Sequence, residues 1–244
     1  MERTLDSWHS PNLGKEMPIV SYGFDGPAFL MFPSAAADYL EYERFYLIDS
    51  IKHHLETGRI RTFSINSINS DSWLNDQVEP REKAIRHQHY NRYITEEVYP
   101  FIKQKISGNN PLIYTAGVSF GALHAMNTLL RRPDMFDGVI GMSGVYDLKE
   151  YSKGYFDDDV YFNSPMDYLP NLTDENVLNQ LRNNKKIYIY TGSGDYEDPS
   201  GSWKMAEQLG KKNIPNFVEC WDETWKHDWP TWRAMLPQAI EKYF

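Results

Sequence analysis

"PLIYTAGVSFGALHAMNTLLRRP", residues 111–133, begins as a compact apolar strand and ends in a helical pattern. The change falls on Gly117, Val118, Ser119, Phe120 and Gly121. A serine presented between the end of a strand and the start of a helix needs a very tight turn. Glycines at 117 and 121 remove the side chains that would collide with the neighbouring strand and helix, and the pattern is the G-x-S-x-G of a nucleophile elbow. The strand before and the helix after supply the context that separates this pattern from a chance five-residue match. The backbone N–H of Phe120, at the helix start, would point at a developing oxyanion with the helix dipole behind it. The plainer alternative is a glycine-rich turn whose serine caps the helix.

Outward from this turn, strands and helices alternate from about residue 27 to the end. The spacing predicts strands at 17–23, 27–34, 59–67, 111–117, 137–145, 185–193 and 216–222, each bounded by Gly, Pro or polar turns. Helical spacing covers 39–58, with Gly58 at the C-cap position. It also covers 81–108, where Pro100 should kink or divide the helix. Further helices are expected at 120–131, 203–212 and 231–244. Near-continuous apolar strands such as 27–32 and 111–114 ask for burial on both faces, which a parallel sheet between helix layers provides. The expectation is a three-layer α/β architecture in a single domain spanning 1–244, without repeats or linkers.

A serine hydroxyl is a poor nucleophile near neutral pH and needs a histidine base with an acid to orient it. On such a sheet the chain order is serine, acid, histidine. Of the seven histidines, only His227, in "ETWKHDWPTW", follows the last predicted strand. His53, His54, His87 and His89 fall on helical stretches ahead of the serine, and His124 lies inside the following helix as a packing or supporting group. The acid should follow strand 185–193. Asp195 comes first after the Gly-Ser-Gly turn of "IYIYTGSGDYEDPSG" and is favoured, with Glu197, Asp198 and the earlier Asp147 as competitors. A second oxyanion donor is expected in the loop after "AFLMFPS", where Pro33 has no N–H; Ser34 is favoured and Ala35 is the alternative.

Composition narrows the field. The 244 residues carry a formal net charge of -9, which argues against a nucleic-acid partner. A single cysteine, Cys220, excludes an internal disulfide and a cysteine-based metal site, and its apolar setting "NFVECW" reads as a buried thiol. No apolar signal core opens the chain and no stretch approaches a membrane span, so a cytoplasmic location without membrane association is the default expectation.

The segments "GVSFGALHAM", "YTGSGDYED" and "KHDWPTWRAMLPQAI" together resemble the putative-esterase branch of the α/β-hydrolase superfamily, which contains esterase D and the mycolyltransferases. The opening "SWHSPNLGKEMPIVSYG" and "INSDSWLN" are similar to a cytosolic bacterial subgroup of esterase-like proteins. The resemblance implies an α/β-hydrolase fold, with helices on both faces of a mostly parallel sheet and no large cap domain. It also implies Ser119 as nucleophile, Asp195 as acid, His227 as base, and amides at Phe120 and Ser34 as the oxyanion hole. One departure is Phe32-Pro33 where esterase D-like members usually show His-Gly or Asp-Gly, which argues against S-formylglutathione more than against hydrolase chemistry.

The expected activity is hydrolysis of small carboxylic esters or thioesters through an acyl-enzyme, without a cofactor. An acyltransferase using the same triad and a non-catalytic binding protein are the alternatives. Segment 146–173 should run over the rim, where Tyr155 and Tyr161, with Ala35, are candidates for substrate contact; packing of the loop onto the domain is the plainer role for most of its aromatics. The run Asp157, Asp158 and Asp159 offers carboxylates for a hard cation, but successive residues on one loop seldom converge on an ion, and no metal is expected. The expected partner is a small ester; self-association into a homo-oligomer stays open.

Overall fold

The computed structural model describes residues 1–106 and 112–244. The elements in chain order are β1 (Arg3–Ser10), β2 (Lys15–Tyr22), β3 (Ala28–Phe32), three short helices α1 (Glu41–Arg44), α2 (Leu47–Ser50) and α3 (Lys52–Glu56), and β4 (Arg61–Ile65). Helix α4 (Pro80–Arg92) passes through a π-helical segment (Tyr93–Val98) into α5 (Tyr99–Lys105). After these come β5 (Ile113–Val118), α6 (Phe120–Arg131), β6 (Gly138–Met142), α7 (Asp158–Tyr161), α8 (Pro165–Tyr168), α9 (Glu175–Arg182), β7 (Lys186–Thr191), α10 (Pro199–Lys211), β8 (Phe217–Cys220) and α11 (Trp229–Tyr243).

The eight strands form one sheet in the order β1-β2-β4-β3-β5-β6-β7-β8. β1 and β2 make an antiparallel hairpin, and β2 joins β4 antiparallel. From β4 to β8 every pairing is parallel. Strand alternation sends successive side chains to opposite faces. Leu30 and Phe32 therefore enter one buried cluster, with Tyr90, Ala122, Met126 and Leu209 from α4, α6 and α10. Phe29 and Met31 enter the other, with Leu47, Leu55, Trp232 and Leu236 from α2, α3 and α11. This is the three-layer α/β-hydrolase arrangement. Between β6 and β7 the chain carries only the short helices α7 to α9 and a 3-10 turn, with no inserted cap domain.

Several local expectations change. The stretch 39–58 is three helical pieces: Tyr46 takes a left-handed backbone (φ 62°) that separates the first from the second, and Ile51 separates the second from the third. Gly58 does adopt the left-handed C-cap conformation (φ 70°). In 81–108 the register changes over Tyr93–Val98, just ahead of Pro100, and the helix continues as α5 with the proline in its first turn, where a missing N–H costs little. Residues 107–108 of that expected helix and residue 111 of the expected strand lie outside the described residues. Strand β1 and helices α7, α8 and α9 were not foreseen. Cys220 is exposed on edge strand β8 rather than buried.

Candidate active site

Strand β5 is buried along its whole length and hands the chain straight to α6. Between them Ser119 sits at φ 53°, ψ −123°, a conformation that costs a non-glycine residue about 1–3 kcal/mol and persists only when its surroundings impose it. The two glycines show what imposes it. A Cβ on Gly117 would lie 2.2 Å from the carbonyl oxygen of Gly121, and one on Gly121 would lie 2.2 Å from that of Phe32 and 2.6 Å from that of Pro33. The loop after β3 is therefore pressed against the first turn of α6. Phe120 opens that helix, so its N–H has no carbonyl one turn earlier to bond and remains a donor at the positive end of the helix.

Ser119 Oγ lies 3.0 Å from Nε2 of His227. The other ring nitrogen, Nδ1, lies 3.3 Å from Oε2 of Glu197, whose side chain is 1% exposed. The carboxylate is held in turn: Ser143 Oγ and the N–H of Gly192 donate to its Oε1, and Trp232 Nε1 donates to Ser143 Oγ at 2.9 Å. The same indole packs edge-on against the His227 ring, with centroids 5.2 Å apart. Hydroxyl, imidazole and carboxylate thus form one line supported on β5, β6, β7 and α11. With Nδ1–H donating to the carboxylate, Nε2 is free to accept the serine proton.

Asp195 does not stand where the sequence analysis put it. Its carboxylate is 64% exposed and pairs with Lys226 Nζ at 2.6 Å, raising that ammonium above its ordinary value. Only its backbone carbonyl touches the base, accepting the N–H of His227 at 3.0 Å. Asp198 caps α10 through Ser200 N–H. The loop reverses at Tyr196, whose φ of 65° turns Asp195 outward and Glu197 inward. Glu197 had been only a competitor.

Ser34 also needs correction as an oxyanion donor. Its N–H is already engaged by Oε2 of the buried Glu41 at 2.7 Å, and its hydroxyl by Oε1 of the same carboxyl. Burial raises the Glu41 carboxyl above its usual range, and these two hydrogen bonds partly offset that. Ala35 is exposed, with a left-handed φ of 34°, and no acceptor for its N–H occurs among the described residues. It is the better placed of the two candidates.

His227 and Glu197 border an open cavity of about 330 Å³ whose wall includes Tyr151, Tyr196, Asp147, Glu150, Asp198 and Lys204. Tyr155 and Tyr161 are not part of it. Tyr155 donates to Asp157 and packs beside the cluster of Trp73, Phe120 and Leu123, while Tyr161 packs against Phe162, Phe156 and Tyr168. Tyr151 instead meets Phe120 edge-on at 4.8 Å. Asp157 caps α7. Among the described residues no group of three or more His, Cys, Asp or Glu is placed to hold a metal ion, and no helix is long and apolar enough to cross a membrane.

Fold and geometry together define an α/β-hydrolase with a serine–histidine–glutamate line on a nucleophile elbow. Residues 61–243 match the family described as "Putative esterase", and the chain belongs to that family. No curated protein matches the chain. Among solved structures it is similar to a ferulic acid esterase (18% identity, TM-score 0.76, covering 98% of this chain and 96% of that one). It is also similar to an S-formylglutathione hydrolase from Agrobacterium tumefaciens (14%, TM-score 0.73, 98% and 93%). A third similar structure is a fluorophosphonate-binding serine hydrolase from Staphylococcus aureus (18%, TM-score 0.70, 98% and 97%). At these identities the likeness is one of fold.

Proposed function

We propose that this protein is a serine esterase acting on small carboxylic esters or thioesters through a covalent acyl-enzyme. Ser119 Oγ attacks the carbonyl carbon while His227 Nε2 takes its proton, and Glu197 orients and stabilises the resulting imidazolium. The tetrahedral oxyanion is met by the N–H of Phe120 and by a donor of the loop after β3. As the C–O or C–S bond breaks, the imidazolium returns its proton to the leaving alcohol or thiol. Water then repeats the sequence on the acyl group and frees Ser119.

The observation that carries this assignment is the hydrogen-bonded line from Ser119 Oγ to Glu197 at 3.0 and 3.3 Å, ending on a strained elbow. A binding protein would have no use for that strain. The base borders an open cavity with no cap domain over it, and a ferulic acid esterase and an S-formylglutathione hydrolase are among the structures with the same fold. Three carboxylates at the rim against one lysine favour neutral or cationic substrates over anionic ones.

A fluorophosphonate probe tests the assignment. Wild-type protein should gain one phosphonyl adduct on Ser119 and hydrolyse short p-nitrophenyl esters, and Ser119→Ala and His227→Ala should do neither. A folded wild type that takes no label and turns over no ester would make the binding-protein alternative correct.

A further inference from the structure

Behind the elbow runs a buried chain of polar side chains that the proposed reaction does not use. Trp73 Nε1 lies 2.9 Å from Nδ1 of His87. His87 Nε2 lies 3.1 Å from Nδ1 of His124, and His124 Nε2 lies 3.0 Å from Oδ1 of Asn69. Asn69 Nδ2 then donates to the carbonyl oxygen of Ala35 at 2.7 Å, a carbonyl that also accepts Ser67 Oγ at 2.9 Å. All four members of the chain are buried.

The direction of every bond follows from one end. An indole N–H can only donate, so His87 must accept at Nδ1 and carry its proton on Nε2. His124 must then accept at Nδ1 and carry its proton on Nε2, which donates to the Asn69 carbonyl and turns the amide NH2 toward Ala35. A protonated imidazole anywhere along the line would leave two donors facing each other. Burial holds both rings neutral, lowering His124 to about 3 and His87 well below its usual value.

What the chain holds is the loop that supplies the second oxyanion donor. The N–H of Ser34 is held by Glu41, the Ser34 carbonyl accepts Ala37 N–H at 3.1 Å, and the Ala35 carbonyl is held by Asn69 and Ser67. Three successive peptide planes are thus fixed, although Ala35 has the left-handed backbone that a non-glycine residue would otherwise leave. His124 belongs to α6, the helix whose first N–H is the other donor, so one network ties both halves of the oxyanion site together.

We propose that Trp73, His87, His124 and Asn69 form a proton-ordered relay of positioning residues that sets the oxyanion loop against α6, with the donor-only indole fixing both histidine tautomers. This inference rests on the esterase assignment. The isosteric Asn69→Asp replaces the NH2 that serves Ala35 with an oxygen while still accepting from His124. It should lower kcat for a p-nitrophenyl ester by about 10- to 100-fold with KM within about threefold, a loss on the scale of a misplaced oxyanion donor. Affinity for a boronic acid, which mimics the tetrahedral state, should fall by the same factor. The ratio of variant to wild-type kcat should rise as pH falls, because a protonated carboxyl regains a donor for Ala35. Trp73→Phe, which keeps an aromatic ring in the cluster with Phe120 but removes the indole donor, should leave the 15N resonances of His87 and His124 averaged between tautomers, where wild type shows Nε2–H alone.

Wild-type kcat in folded Asn69→Asp, or unchanged tautomers in Trp73→Phe, would overturn the relay. Should Asn69→Asp fail to fold, Trp73→Phe with the boronate titration decides by the same criteria. An inert, unlabelled wild type would instead sink the esterase assignment and with it the catalytic role of the relay. The tautomer measurement reads the proton order without any turnover, so the two failures are told apart.

Discussion

Exchanging Glu197 for glutamine alters one atom and should disable the serine. Ser143 Oγ–H and Gly192 N–H both donate to Oε1, so the amide must keep its carbonyl oxygen there and turn its NH2 toward Nδ1 of His227. Nδ1 must then accept, the imidazole proton moves to Nε2, and Nε2 can no longer take the proton of Ser119. The same carboxylate-to-amide exchange in a serine protease costs about 10⁴ in kcat. Here the Nδ1 to carboxylate distance is 3.3 Å, long for a charge-assisted bond, so a loss of about 10³, or about 4 kcal/mol, is expected. Asp195→Asn removes only an exposed ion pair and should stay within about threefold of wild type. Steady-state hydrolysis of p-nitrophenyl acetate checks both, with circular dichroism to establish folding. If Glu197→Gln keeps more than about a tenth of wild-type kcat, or Asp195→Asn loses as much as Glu197→Gln, the assignment of the acid is wrong.

Gly121→Ala would drive a Cβ into the carbonyls of Phe32 and Pro33, both backbone, and should cost at least about 3 kcal/mol in urea unfolding or prevent folding outright. Stability should also fall on acidification. His124 titrates near 3 when folded and near 6.5 when unfolded, so between those values the unfolded chain binds the extra proton and gains. From pH 7 to 5 this group alone should remove about 2 kcal/mol, with His87 acting in the same direction, and urea titrations of His124→Gln should show a flatter dependence. At the rim, Glu150→Lys should raise kcat/KM for an anionic succinate monoester relative to a neutral acetate ester several-fold at low salt, and the gain should vanish at high salt.

The elbow and the base were legible because both are fixed by order along the chain. A glycine-flanked serine between strand and helix has few alternatives, and one histidine alone follows the last strand. The acid was not legible because Asp195, Glu197 and Asp198 crowd four positions of one loop. Which of them faces inward depends on the left-handed turn at Tyr196, a residue that is 93% exposed and whose type gives no hint of that backbone. Ser34 was misassigned because Glu41, seven residues away on a predicted helical face, is buried at the loop rather than solvated. The hairpin strand β1 escaped notice because only its last residue is buried, so its sequence carries no apolar alternation.

The segments bearing Glu197 and His227 are also stitched to each other through their main chains. Gly194 N–H donates to the Trp225 carbonyl at 2.9 Å, and His227 N–H donates to the Asp195 carbonyl at 3.0 Å. These two bonds couple the segments, so carboxylate and imidazole keep their mutual orientation, and Ser143 and Gly192 fix the carboxylate to the ends of β6 and β7. The contact between Ser119 and His227, at 3.0 Å, is therefore the one in the line with no main-chain bond across it. A crowded substrate or a distant substitution would be felt as a change in that one separation, with the imidazole still correctly oriented by its carboxylate.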